Sequence, residues 1–147
     1  MNKRIIHNWN SRVKKEDTVF HLGDFCFRNS NETRGEGINK NANYWLSKLN
    51  GRIIIIGGNH DKNNSMNTPI RTIELIYGGK NILLLHNPDE FSKADMKDYD
   101  LLLCGHVHEA WKVLNKKIVN VGVDVWNFMP ISFEEIIRIK VKEEKND

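Results

Sequence analysis

Apolar positions recur at helical spacing in three parts of the chain. Between Ile5 and Val13 they fall three or four residues apart, which places them on one face of an α-helix. Residues 41–49 repeat this spacing, and Gly51 follows as a helix-ending glycine. Residues 132–137 begin with a capping-box pattern and predict a short helix, after which we expect the charged residues from 140 onward to fray.

Short apolar or alternating runs between these helices predict β-strands. They are residues 18–22, 52–56, 71–76, 81–85 and 101–104, with a further hairpin within residues 113–121. The Gly78-Gly79 pair joins two of these runs and predicts a tight hairpin. Residues 52–56 are so continuously apolar that we expect both faces of that strand to be covered.

Composition fits one globular domain. The 147 residues are 39% hydrophobic and 28% charged, enough for a packed core. No apolar run approaches the length of a membrane span, and no signal-peptide pattern opens the chain, so we expect a soluble, cytoplasmic protein without a membrane partner. The net charge of +3 is spread along the sequence and gives no strong nucleic-acid signature.

The two cysteines, Cys26 and Cys104, lie far apart and beside apolar residues. This placement favours reduced, buried thiols over a disulfide framework.

A cluster of polar residues follows each of four predicted strands, in the loop at the carboxyl end of the strand. The clusters are Asp24, then Asn59-His60-Asp61, then His86, then His106 and His108. Ligand sites of layered α/β folds form at such strand ends, so we expect these side chains to meet in one pocket. Carboxylate, amide oxygen and imidazole together suit a divalent transition metal.

The same residues carry a family resemblance. The blocks Gly23-Asp24, Gly58 to Asp61, His86 after an apolar strand, and Gly105 to His108 follow one another in this order. They resemble four of the five blocks of calcineurin-like metallophosphoesterases, which run D-x-H, G-D, G-N-H-[DE], H and G-H-x-H. Each block alone is a weak signal, whereas the ordered set is a strong one. The likeness extends over nearly the whole chain, and the text around the blocks also resembles small bacterial and phage members.

This resemblance implies a four-layer α/β/β/α sandwich with the motif loops on one edge. It also implies roles for the site residues. Asp24 would bridge two metals, Asn59, His86 and His106 would complete one position, and His108 would serve the other. His60 would contact the phosphate and protonate the leaving oxygen, and Asp61 would orient the His60 ring. Taken singly, Asp24 is a common turn residue, His86 a structural histidine and Asp61 a helix cap.

One family block is missing. The only histidines before Gly23 are His7 and His21, and neither has an aspartate two residues earlier. We expect His7 to lie on a helix surface and His21 to act in the core or behind the ligands. In the family, the D-x-H block ends the first strand of the sheet. The sequence therefore predicts a single domain over residues 1–147 that is truncated at its N-terminus relative to the family pattern, with two metal ligands absent.

The implied activity is metal-dependent hydrolysis of phosphate esters by a metal-bound hydroxide, as a phosphomonoesterase or a phosphodiesterase. The alternatives are a catalytically weak or inactive metal-binding module of the same fold, and a slow one-metal enzyme. Manganese, iron, zinc, cobalt and nickel all suit the ligands, two ions per site in the family and one complete position here. The substrate would be a phosphorylated small molecule or nucleotide, selected by residues 28–40 and 63–68. The sequence leaves the oligomeric state open.

Overall fold

The computed structural model describes residues 2–25, 42–61, 68–92 and 95–145. Its helices are α1 (Asn2–Arg12), α2 (Ala42–Leu46) and α3 (Phe133–Lys145). Its strands are β1 (Thr18–His21), β2 (Arg52–Ile55), β3 (Thr72–Tyr77), β4 (Lys80–Leu85), β5 (Leu101–Cys104), β6 (Val113–Leu114) and β7 (Ile118–Asn120). Short 3₁₀ turns lie at Pro88–Glu90, Asp95–Asp98 and Val123–Val125.

The strands form two sheets. β1 pairs in parallel with β2, and the other five strands form a mixed sheet in the order β3-β4-β5-β7-β6. β4, β5 and β7 run parallel, so their carboxyl ends reach the same edge of the sheet. The predicted hairpins are confirmed at β3–β4 and β6–β7. Gly78 and Gly79 both have positive φ, as a two-residue hairpin turn requires.

Strand β4 shows how the main sheet is packed, because its side chains alternate between two apolar clusters. Ile82 and Leu84 belong to the larger cluster, which also holds Leu22 and Ile56 from the β1–β2 side and Ile136 from α3. Leu83 and Leu85 pack on the opposite face against the second cluster, with Leu102, Cys104 and Ile118. The main core therefore lies between the two sheets and α3.

The expectation that both faces of β2 are covered is wrong. Ile53, Ile54 and Ile55 are only half-buried, and the next residue, Ile56, is the fully buried one. The physical reason is the small size of this sheet, since β1 and β2 have no third strand beside them among the described residues. A cavity of about 640 Å³ is lined by every residue of β1 and by none of β2.

Two helices differ in length from the sequence prediction. α2 ends at Leu46, three residues early, and turns carry the chain to Gly51, whose φ is 94°. α3 is longer than predicted and continues to Lys145. The helix continues through residues 140–145, which contain no Gly or Pro and are mostly Lys and Glu, both good helix formers.

Several predictions fall outside the described residues. These are the thiol of Cys26, the loop over residues 28–40 and most of the loop over residues 63–68. Among the residues that are described, none of the helices has the length and apolar character needed to cross a membrane.

Candidate metal centre

Four strand ends bring their polar side chains to one place. Asp24 follows β1, Asn59 follows β2, His86 follows β4 and His106 follows β5. The Nε2 atom of His86 lies 2.9 Å from Asn59 Oδ1, 3.2 Å from His106 Nδ1 and 3.3 Å from Asp24 Oδ2. One ligand atom each from Asp24, His86 and His106 lies within 4.8 Å of the other two.

The contacts of the His86 ring determine which of its two nitrogens carries the proton. Its Nδ1 lies 2.7 Å from the carbonyl oxygen of Leu22, which can only accept a hydrogen bond. A neutral ring therefore carries its proton on Nδ1 and directs the lone pair of Nε2 at Asp24, Asn59 and His106.

This donor set fits a divalent cation. A carboxylate oxygen, an amide oxygen and an imidazole nitrogen each lie about 3 Å from His86 Nε2, where lone pairs would repel unless a proton or a cation lies among them. Atoms bound at about 2.0–2.5 Å from one ion are separated by such distances. The carbonyl behind His86 is the kind of outer contact that fixes the ring of a metal-binding histidine.

The site is buried on one side and open on the other. His86 is 5% exposed, and Asp24 is half-buried. Asn59 and His106 are exposed. A ligand can therefore reach the cluster from the Asn59 and His106 side.

The backbone at the cluster is in an unusual conformation. Asp24, His106 and His108 have φ values of 53°, 62° and 46°, in the left-handed region that residues other than glycine seldom adopt. Such conformations persist only where the surrounding structure enforces them, and they concentrate at functional sites.

Asp61 joins the loop after β1 to the loop after β2. Its carboxylate is 1% exposed and accepts hydrogen bonds from the main-chain N–H groups of Gly58, Asp24 and Phe25, at 2.7, 2.9 and 3.0 Å. These bonds fix the backbone on both sides of the Asp24 side chain. The predicted role of Asp61, orienting the His60 ring, is not among these contacts and stays a prediction.

Close approach of the two loops requires glycine at position 58. A Cβ atom built on Gly58 would lie 2.3 Å from Asp24 Oδ1 and 2.4 Å from Asp24 N. Neither distance is possible without displacement of Asp24. Gly57 has more room, since its nearest contact would be 3.4 Å away, at the end of the Arg71 side chain.

His60 lies beside the cluster and is exposed. Its main-chain N–H donates to Asp24 Oδ1 at 2.9 Å, which leaves Oδ2 of that carboxylate facing His86. The predicted role of the His60 side chain, protonation of the leaving oxygen, stays a prediction.

His108 is placed differently from the other predicted ligands. Its side chain is 78% exposed, and its Nδ1 lies 3.8 Å from Asp124 Oδ2. It is not part of the three-residue group of mutually close ligands formed by Asp24, His86 and His106. Its assignment to a second metal position stays a prediction, and Asp124 is a neighbour that the motif pattern did not indicate.

Two further groups near the site are buried and uncharged. Burial lowers the pKa of His21 to about 4, so its ring is neutral at pH 7, as a residue behind the ligands would be. Burial likewise raises the pKa of Cys104 to about 12. This thiol is free and buried, as the sequence predicts for Cys104.

Sequence reasoning also missed Asn120. Asn120 is the last residue of β7, and the motif residues likewise lie at or just after the ends of their strands. This position at a strand end was the signal in the sequence that could have identified Asn120. Its side chain contacts the segment that carries His106 and His108, through hydrogen bonds to the main chain of His108 and Trp111.

Comparisons with known proteins agree with this geometry. A protein from Methanocaldococcus jannaschii of uncharacterized function is 34% identical over 145 residues, covering 95% of this chain and 74% of that protein. A protein of unknown function from Aquifex aeolicus has a similar structure, with a TM-score of 0.64, 25% identity and coverage of 94% of this chain and 84% of that one. A single mutant of Vps29 from Entamoeba histolytica shares the fold, at a TM-score of 0.50 and 20% identity, over 82% of this chain and 63% of that one.

The sequence pattern of one family also matches most of the chain. The calcineurin-like phosphoesterase superfamily domain matches residues 1–129, which include every predicted site residue. The α/β fold class is confirmed by the mixed five-stranded sheet with its helices and by the structural likeness. This chain belongs to the calcineurin-like phosphoesterase superfamily.

Proposed function

We propose that this protein hydrolyses phosphate esters with a divalent cation bound by Asp24, Asn59, His86 and His106. The convergence of their ligand atoms at the ends of four strands supports the proposal most directly. Membership of a phosphoesterase superfamily supports the same class of reaction.

Each side chain of the site has its own role in the proposed reaction. A divalent cation at this position would supply Lewis acidity and would lower the pKa of a water molecule. His86 and Asp24 hold the buried side of the site, and the exposed Asn59 and His106 leave the outer side open to a phosphate group. His60, next in sequence to Asn59, donates a proton to the leaving oxygen.

The substrate is a phosphorylated small molecule or a nucleotide. The cavity of about 640 Å³ is lined by Asp24, His86, His106 and His108. Its lining combines these polar residues with the apolar side chains of Phe20, Val121 and Ile131.

The second candidate is a metal-binding module with weak catalysis. The position of His108 favours it, since within the described ranges only Asp24, His86 and His106 form a group of mutually close ligands. One cation would then be held well, and a second would have fewer protein ligands.

The first prediction separates metal binding from proton donation. Asp24→Ala removes a carboxylate ligand and should abolish both metal binding and hydrolysis. His60→Ala should leave the metal content unchanged and lower turnover by about 10²–10⁴-fold, the usual contribution of proton transfer. Metal analysis and hydrolysis of p-nitrophenyl phosphate or its bis ester measure these effects. His7→Ala, on the exposed face of α1, is the control. Loss of metal from the His60 variant would show that His60 is a ligand.

The second prediction uses two adjacent glycines. Gly58→Ala places a methyl group against Asp24 and should weaken Mn²⁺ binding by tenfold or more, of the order seen when groups supporting a metal ligand are removed. Gly57→Ala meets its neighbours at ordinary contact distance and should change Mn²⁺ affinity little. Isothermal titration calorimetry with Mn²⁺ compares the two. Equal affinities would contradict the assigned position of Asp24 in the site.

The third prediction concerns stoichiometry. The chain of residues 1–147 should bind one divalent ion tightly and a second weakly, with little phosphatase activity. An apolar strand of about five or six residues ending in Asp-x-His, added before Met1, should raise both the second ion's affinity and manganese-stimulated hydrolysis. The apolar part of the cavity, lined by Val19, Phe20 and Leu22, offers a place for such a strand, which leaves the end lined by Asp24, His86 and His106 for the substrate.

The matched control is the same extension ending in Ala-x-Ala, which adds the strand without the ligands. Full activity of the unextended chain would contradict the account, because one metal would then suffice or another chain would supply ligands.

A further inference from the structure

Asn120 is a fully buried polar residue at the carboxyl end of β7, with 0% exposure. Its Nδ2 donates to the main-chain carbonyls of His108 and Trp111, at 2.6 and 2.9 Å. Its Oδ1 accepts from the N–H of Gly122 at 2.9 Å. Both amide hydrogens and the amide oxygen are therefore used, and all three bonds go to loop backbone.

The main chain of Asn120 makes a second set of contacts to the same loops. Its N–H donates to Lys112 O at 2.9 Å, and its carbonyl accepts from Trp126 Nε1 at 2.7 Å. In the sheet it pairs with Cys104, the residue before Gly105. Asn120 thus ties the loop after β5, which carries His106 and His108, to the loop after β7, which carries Asp124.

The loop after β5 needs such an anchor. His106 and His108 both have positive φ, a conformation that is unfavourable for residues other than glycine unless the surroundings enforce it. The bond from Asn120 to the carbonyl of His108 fixes the peptide that follows one of these residues. The bond to Trp111 fixes the far end of the same segment.

We propose that Asn120 is a positioning residue of the metal centre. Its side-chain amide holds residues 106–111 so that the His106 ring faces His86 and Asp24. This inference rests on the proposed metal-dependent function, because its consequence for His106 is a consequence for cation binding.

The chain offers a matched control in Asn8. This residue is 9% exposed, and its Nδ2 also donates to two main-chain carbonyls, those of Asn127 and Phe128. Those two residues have positive φ as well. Asn8 lies on α1 and does not line the cavity of the metal site.

The test compares Asn120→Asp with Asn8→Asp in the whole chain. Each substitution keeps the side-chain shape and replaces the NH₂ donor with an oxygen that faces two carbonyls. Both should lower the melting temperature. Asn120→Asp should weaken Mn²⁺ binding by about 10–100-fold, the range for loss of a group that supports a metal ligand, whereas Asn8→Asp should change it less than about twofold.

A second variant keeps the test decisive if Asn120→Asp fails to fold. Asn120→Ser adds no charge and is too short to reach both carbonyls, so we expect a similar loss of Mn²⁺ affinity. Hydrogen exchange in the metal-free protein gives an independent reading of the loop. The Ala110 amide, which donates to Val107 O at 3.0 Å, should exchange faster in both Asn120 variants than in the wild type and Asn8→Asp.

The outcomes distinguish the positioning role of Asn120 from the proposed metal-dependent function. Wild-type Mn²⁺ affinity in folded Asn120 variants, or an equal loss in Asn8→Asp, overturns the positioning role. Absence of Mn²⁺ binding by the wild-type chain overturns the proposed function instead. In that case unchanged exchange at Ala110 would also overturn the anchoring of the loop by Asn120.

Discussion

The candidate metal centre depends on the hydrogen bonds that the buried carboxylate of Asp61 accepts. It accepts three main-chain N–H groups from two loops that follow different strands. A buried carboxylate without such donors would be very unfavourable, so the two loops are held to it and to each other. The close contact between Gly58 and Asp24 follows from this arrangement, because a side chain at position 58 would push the loops apart. The direction of the Asp24 carboxylate is set in consequence.

A second constraint acts from the main sheet. The parallel strands β4 and β5 end side by side, and the N–H of Gly105 donates to the carbonyl of His86 at 3.1 Å. His86 in turn reaches across to Leu22 O, at the end of β1. The two sheets are therefore joined at the site by the side chain of His86. With the ring fixed in this way, its second nitrogen faces Asp24, Asn59 and His106, and a bound cation would relieve the repulsion among their lone pairs.

Much of this was predictable from the sequence because the signals are local. Alternating and continuous apolar runs predicted the strands, and Gly78-Gly79 predicted the hairpin. The polar residues that follow the strands predicted which side chains converge, since strand ends that share an edge bring their loops together. The length of α3 was misjudged, because charge was taken as a sign of fraying where helix propensity favours continuation.

The remaining features depend on contacts between distant parts of the chain. The hydrogen bonds of Asp61 to the main chain of Asp24 and Phe25, more than thirty residues away, could not be predicted from its neighbours in the sequence. Nothing local in the sequence distinguishes Asn120 from any other asparagine after a strand, and only the fold places its amide against the His108 carbonyl. The partial exposure of β2 was missed for the same reason, because periodicity reports the faces of a strand but not the width of its sheet.

The central claim is that one divalent cation binds among Asp24, Asn59, His86 and His106. The most direct measurement is a crystal structure of the protein with Mn²⁺, using anomalous scattering to locate the ion. The account predicts a strong anomalous peak about 2.0–2.5 Å from a side-chain oxygen or nitrogen of each of these four residues. A peak at another place, or no peak at this position at saturating Mn²⁺, would contradict it.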